Sequence, residues 1–208
     1  MELSALTPVQ DDIYLWRGDI TRLACGAIVN AANSGMTGCY QPCHNCIDNC
    51  IHTYAGIQLR NYCNDLMEKQ GYEEPTGTAK ITPAFNLPCE YVIHTVGPIV
   101  RGKLTPLHCR QLASCYRSCL ELADQNQVHS IAFCCISTGV FMFPNEDAAE
   151  IAVQTVKDYK AKTGSKMVIM VCSNAVSPVI MIPMIMKGLS AGWWKRRDSR
   201  LQKTMICL

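Results

Sequence analysis

Strand-like and helix-like segments alternate along this chain, and that alternation predicts an α/β fold, a sandwich built on a largely parallel sheet. Two further observations support it. Residues 131–136 form a continuous apolar run, as a strand covered on both faces requires. The chain also has 208 residues, 49% of them hydrophobic, which is enough for one domain with a substantial core. There is no internal repeat.

Taken in order, residues 13–16 alternate apolar side chains and predict a strand that stops at Arg17-Gly18. Gly18-Asp19-Ile20-Thr21 is a turn, and residues 27–31 make a second short apolar strand. Ile47, Ile51, Tyr54, Leu59, Tyr62 and Leu66 recur at three to five residues, which predicts one helix over about 47–69 ending near Gly71. Glu73-Glu74-Pro75-Thr76-Gly77 is a turn, and 78–82 and 91–96 are strands, the second stopped by Gly97-Pro98. Residues 107–123 form a helix with Leu112, Cys115, Tyr116, Cys119 and Leu122 on one face. After the buried 131–136 strand come a loop at 137–141, a helix over about 146–159 and a last strand at 167–171. From residue 174 the pattern breaks: two prolines interrupt an apolar stretch, and a basic Trp193-Trp194-Lys195-Arg196-Arg197 segment follows.

Charge divides at the same place. Residues 174–208 carry +5 of a whole-chain +2, so the first 173 residues stand at −3. A basic, Trp-bearing end suits membrane or nucleic acid, but a charge run is more ordinarily a solvated tail. Neither membrane nor nucleic acid is therefore expected as a partner. Fourteen cysteines would fit a disulfide-rich secreted protein. Against that, Met1-Glu2-Leu3-Ser4 has neither the basic start nor the apolar run of a signal peptide. Cys134, Cys135 and Cys172 also fall inside apolar patterns, where cysteine acts as a small hydrophobe. A cytoplasmic location fits better, and the longest apolar stretch is too short to span a bilayer.

The densest chemistry lies in Gly38-Cys39-Tyr40-Gln41-Pro42-Cys43-His44-Asn45-Cys46-Ile47-Asp48-Asn49. Two thiols and an imidazole, Cys39, His44 and Cys46, can close on one zinc ion and leave a fourth position open for chemistry. Cys43 offers a third thiol in the same loop, and in so Cys-rich a chain the clustering can also be chance. Asn30 and Asn33 end the second strand. Their amides suit sugar hydroxyls, and turn formation is an equal alternative. In the 137–141 loop, Gly139 allows close approach of a phosphate to a backbone nest, although a Gly-bearing strand-to-helix loop is a weak motif. Asp19 caps the turn at Ile20-Thr21. Asp48 begins a helix, where a carboxylate interacts favourably with the helix dipole. His52 and His94 sit in apolar patterns and read as packed residues rather than bases.

Four segments in order, Gly18-Asp19-Ile20-Thr21, Ile28-Val29-Asn30-Ala31-Ala32-Asn33, His94-Thr95-Val96-Gly97-Pro98 and Ile136-Ser137-Thr138-Gly139-Val140-Phe141, resemble a macrodomain over about residues 8–173. Ordinary hydrolytic macrodomains have a glycine run where this chain has Cys39 to Cys46. Together with Glu74-Pro75-Thr76-Gly77, that segment resembles the zinc-containing macrodomain subfamily, whose microbial members remove ADP-ribose from proteins. The resemblance implies a three-layer α/β/α sandwich with a mostly parallel mixed sheet. It implies an ADP-ribose site formed by Asp19, Ile20, Asn30, Asn33, Ser137, Thr138, Gly139, Val140 and Phe141, with Asp19 accepting from the adenine amino group. It selects Cys39, His44 and Cys46 over Cys43 as ligands of one zinc ion, and Asp48 and Asn33 as catalytic residues. The expected activity is zinc-dependent hydrolysis of mono-ADP-ribose from protein side chains, by a monomer. The rivals are an ADP-ribose-binding module without chemistry and a thiol–zinc redox sensor. Two departures stand out: the extra N-terminal helical segment usual in the subfamily is missing, and the 174–208 tail replaces its aromatic-bearing loop and closing helix. The expected division is a macrodomain over 1–173 and an irregular, aberrant basic tail over 174–208, as a shifted reading frame would produce.

Overall fold

The computed structural model describes residues 7–10 and 12–173. The readings made for the 174–208 tail and for the first six residues lie outside the described residues. Seven strands form one sheet in the order β1-β2-β7-β6-β3-β5-β4. They are β1 (Thr7–Gln10), β2 (Ile13–Arg17), β3 (Ala27–Ala32), β4 (Ala79–Pro83), β5 (Tyr91–Val96), β6 (Ser130–Phe133) and β7 (Val168–Ser173). The five central strands run parallel, and the edge strands β1 and β4 pair antiparallel. The helices are α1 (Ile47–Ala55), α2 (Ile57–Gln70), α3 (Pro106–Gln125) and α4 (Asn145–Thr163). The predicted α/β sandwich with a mostly parallel mixed sheet is therefore the observed one.

Register fixes the layers. Asn30 of β3 pairs with His94 of β5, so both side chains leave the same face of the sheet. That face meets α1 and α2: Asn30 bonds to Asp48, and His94 lies 3.9 Å from Cys63 Sγ. Ala27 pairs with Ile131, which puts Phe133, two residues on, on the opposite face. There its ring meets Tyr116 of α3 at 5.0 Å between centroids. Tyr159 of α4 donates to Asp124 of α3, tying that layer together. Ile28, Ile93, Ile131, Phe133 and Ile169 are wholly enclosed between the layers, and burying each such side chain is worth about 1.5–3 kcal/mol.

Three predicted elements differ from the observed ones. The single 47–69 helix is two, broken at Gly56, whose φ of 92° lies outside helical geometry. A Cβ there would also sit 2.7 Å from the Asn86 amide. The apolar spacing already slips at that point, with a five-residue step from Tyr54 to Leu59. Strand β6 stops at Phe133 although the apolar run continues to Ile136, because Cys134 and Cys135 leave the ladder to line a cavity. Strand β1 was not anticipated; Pro8 weakens the strand signal and is tolerated because the pairing is at a sheet edge. Among the described residues, no helix is long and apolar enough to cross a membrane.

Candidate active site

The carboxyl ends of β2, β3, β5, β6 and β7 open on a cavity of about 620 Å³, within the usual range for small-molecule sites. Open parallel sheets bind ligands at this edge. Gly18, Asn33, Gly97, Cys134 and Cys172 each line it from one of those strand ends. Two loops form its walls, the Cys39, His44 and Cys46 segment the first and the 137–141 segment the second.

In the second wall, no hydrogen bond to another group among the described residues occupies the amides of Gly139, Val140 and Phe141. Three successive amides with no internal partner are left free to meet an anion, and a Cβ on Gly139 would meet nothing within 4 Å. Ser137 holds a φ of 64° and its buried hydroxyl lacks a partner. Both a strained backbone and an unpaired buried donor are costly unless something else in the site offsets them. Gly97 lies so close beneath it that a Cβ there would sit 2.0 Å from Ser137 Oγ and 2.8 Å from Ile136 Cγ2. Gly97→Ala is expected to cost about 1–3 kcal/mol of stability by overpacking, read as a lowered melting temperature; an unchanged melt would show that the turn yields freely.

The first wall begins where β3 ends. Asn33 Oδ1 accepts from Gly35 N–H at 2.9 Å, while its Nδ2 reaches Gly38 O at 3.2 Å and Asp48 Oδ2 at 3.3 Å. The turn-forming reading of Asn33 is thus realised, and the residue also lines the cavity. Arg60 of α2 donates to Thr37 O at 2.5 Å and stacks over the Tyr40 ring at 4.6 Å, fixing the entry to the Cys39 loop. The ligating atoms of Cys39, His44 and Cys46 lie within 4.8 Å of one another. Cys43 is exposed, at a φ of 56°, and outside that group.

The three-residue set fits a zinc ion. Cys39 Sγ stands 3.4 Å from His44 Nδ1, against the ~3.6 Å edge of a tetrahedron with ordinary Zn–S and Zn–N bonds. Burial and the neighbouring Cys39 thiol push the Cys46 thiol above its ordinary range, although the Asn49 amide opposes this. Two adjacent sulfurs ionise together only if a cation offsets them. Cys46 also caps α1, its Sγ accepting from Asn49 N–H at 3.4 Å.

Asp48, in the first turn of α1, is 5% exposed and lines the cavity. Its Oδ1 accepts from Asn30 Nδ2 at 2.8 Å. Burial raises its pKa, opposed by the Asn30 bond and the Arg60 charge. Asn30 itself does not line the cavity: it is wholly buried beneath, reaching the wall through Asp48. Ile20 lines the cavity and is buried. Asp19 stands outside the lining, its Oδ1 accepting from the Thr21 amide at 3.0 Å and the Thr21 hydroxyl at 2.6 Å. The capping role is thus realised, and a carboxylate has lone pairs left for another donor.

Sequence reasoning missed part of the lining: Cys134, Cys135 and Cys172 form an apolar thiol floor. Burial first, then the neighbouring Cys135 thiol, push the Cys134 thiol up to about 12. Such thiols stay protonated at neutral pH. It also left out His52, whose Nε2 is 3.7 Å from Asp48 Oδ1 and whose ring nitrogens have no partner. The signal was available, since Asp48 and His52 are four apart on one helix. His52, Cys63 and His94 also converge within 4.8 Å, but both His94 nitrogens are already engaged by Asn30 and Thr82, so His94 has no nitrogen to spare for a metal.

The family profile described as Macro domain matches residues 29–152. A protein-ADP-ribose hydrolase of Treponema medium is 68% identical over 169 residues, 79% of this chain and 65% of that protein. A protein-ADP-ribose hydrolase of Staphylococcus aureus (strain MRSA252) is 54% identical over 166 residues, 79% of this chain and 62% of that protein. The chain therefore spans less than two thirds of the length of these curated relatives. The Oceanobacillus iheyensis macrodomain, solved with ADP, matches with a TM-score of 0.71 at 36% identity, covering 81% of this chain and 86% of the other. A profile match over more than half of the chain and a solved macrodomain covered over most of its length agree with the sheet order and the cavity at its carboxyl edge: this chain belongs to the macro domain family.

Proposed function

We propose that this macrodomain hydrolyses mono-ADP-ribose from modified protein side chains, as a monomer in the cytoplasm, and that it is a zinc-containing member of its family. The observation that carries the reading is the sharing of one cavity: free amides suited to a pyrophosphate share about 620 Å³ with Asp48 and the Cys39, His44, Cys46 trio. A binding module needs the amides but has no use for a buried carboxylate beside a metal-competent trio. The names of the curated relatives support the same activity.

In this reading the amides of Gly139, Val140 and Phe141 hold the phosphates, which suits a domain whose first 173 residues are net negative and whose cavity lining, among the described residues, includes no Lys or Arg. Ile20 packs against the adenosine end and Asp19 accepts from the adenine amino group. Asn33 orients the distal ribose with its half-buried amide. Asp48 then faces the anomeric carbon. Hydrolysis consumes one water: its oxygen ends on ADP-ribose, or on the acyl carbon if that centre is attacked, and the departing side takes its proton. Attack at the sugar builds positive charge in an oxocarbenium-like transition state, and the Asp48 carboxylate, held by two amide donors, is set to offset it and orient the water. Cys39, His44 and Cys46 would hold the zinc ion, which supplies Lewis acidity toward a substrate oxygen or a bound water.

Cys46→Ala is expected to lose bound metal and turnover together, with free ADP-ribose affinity retained. Metal analysis, calorimetry and release of label from a mono-ADP-ribosylated protein check this. Undiminished turnover without metal would remove zinc from the mechanism, and ADP-ribose binding without any turnover in the unaltered protein would leave a binding module.

A further inference from the structure

Beneath Asp48 the hydrogen bonds run away from the cavity in one consistent polarity, and from them we infer that His94 is a positioning residue for Asp48, acting through the Asn30 amide and fixed in its tautomer by Thr82. The inference rests on the hydrolase reading above. Asn30 Nδ2 has two hydrogens and two acceptors: Asp48 Oδ1 at 2.8 Å and His94 Nδ1 at 3.1 Å. For Nδ1 to accept, the ring proton must sit on Nε2. Thr82 Oγ1 lies 3.0 Å from Nε2 and passes its own proton to Val92 O at 3.4 Å. Cys63 Sγ, 3.9 Å from Nε2, is a weak second acceptor. Every donor from Asn30 back to Val92 thus has its acceptor.

The polarity cannot be reversed at one link alone. A proton moved to His94 Nδ1 would face the Asn30 N–H. Turning the Asn30 amide over to relieve that clash would bring Oδ1 against the Asp48 carboxylate. The His94 tautomer and the hold on Asp48 are therefore one arrangement. All of it is enclosed: Asn30 and His94 are 0% exposed and Thr82 2%, so water cannot substitute for a lost partner. Burial, with the His52 ring beside it, also keeps His94 neutral, its pKa pushed down to about 3, as an accepting Nδ1 requires. None of the three residues lines the cavity, so none touches substrate in this arrangement.

The test uses the full chain. Nitrogen-15 spectra of the imidazoles should show His94 protonated at Nε2 and bare at Nδ1. His94→Asn keeps an acceptor near the Nδ1 position, whereas His94→Gln keeps a donor near Nε2 and loses that acceptor. Thr82→Ser keeps the hydroxyl, and Thr82→Val removes it at nearly the same shape, so folding is safeguarded. His94→Gln and Thr82→Val are expected to lower kcat about 10- to 100-fold, with KM and free ADP-ribose Kd within about twofold; Thr82→Ser and His94→Asn should retain most of kcat. Equal losses in His94→Asn and His94→Gln, or unchanged kcat in Thr82→Val, would reduce His94 to packing. A ring protonated at Nδ1 in an active protein would overturn the inference and spare the hydrolase reading. An inactive unaltered protein with an Nε2-protonated ring would do the reverse.

Discussion

Asp48→Asn is expected to lower kcat for release of ADP-ribose from modified protein by about 10²- to 10⁴-fold, the usual worth of a positioned proton-transfer or charge-stabilising group. Free ADP-ribose affinity should change only a few-fold. The split follows from where the side chain sits. Asp48 lines the cavity, and its carboxylate offers a phosphate only like-charge repulsion, so it has no part in holding the phosphates. The substitution is conservative for the fold, because an Asn Oδ1 can still accept from Asn30 Nδ2, now at 2.8 Å. It removes only the negative charge and the second acceptor oxygen, which a transition state of growing positive charge needs and the bound product does not. Single-turnover release from a mono-ADP-ribosylated protein, beside calorimetry with ADP-ribose, measures both. Unchanged turnover would leave Asp48 its role at the α1 N-terminus and nothing more.

The residues that line the cavity were more legible in the sequence than those that hold them. Cys39, His44, Cys46 and Asp48 could be named because they crowd into ten residues, and short loops keep sequence neighbours together in space. The strand–helix alternation survived tertiary folding almost intact, since buried parallel strands leave uninterrupted apolar runs such as 131–136. What the pattern concealed was long-range pairing. His94 looked like one packed histidine in a strand, because its partners Asn30 and Thr82 are 64 and 12 residues away and are brought to it by strand register. Gly56 was hidden differently: apolar periodicity reports which face is buried, and two helices in line bury the same face as one. The thiol floor was taken for core because a cysteine against an empty cavity and one against a leucine leave the same trace in a sequence.

Acidification should destabilise this domain well before its carboxylates titrate, because two histidines are buried uncharged. Burial, with the Arg60 charge nearby, lowers the His52 pKa to about 4; burial, with His52 nearby, lowers that of His94 to about 3. In the unfolded chain each titrates near 6.5. Between those values the unfolded state binds protons that the folded state refuses, so the stability these groups contribute is complete above pH ~6.5 and drains away as pH falls. At pH 5 each costs about 2 kcal/mol relative to pH 8, together on the order of 4 kcal/mol, a large share of a domain's usual 5–15 kcal/mol. Asp48 works in the opposite sense, since its pKa is raised in the fold, but as a single carboxylate it acts nearer its own, more acidic range. Denaturant unfolding from pH 8 to pH 5 gives the slope directly. Chelator should be present throughout, because metal binding is itself pH-dependent and loss of any metal would destabilise in the same direction. His52→Met removes a ring whose nitrogens have no partner, so it should cut the acid-induced loss by about half while leaving stability at pH 8 nearly unchanged. A flat profile from pH 8 to 5 would mean that these rings accept protons inside the fold, and the Asn30–His94 hydrogen bond could not then keep its polarity.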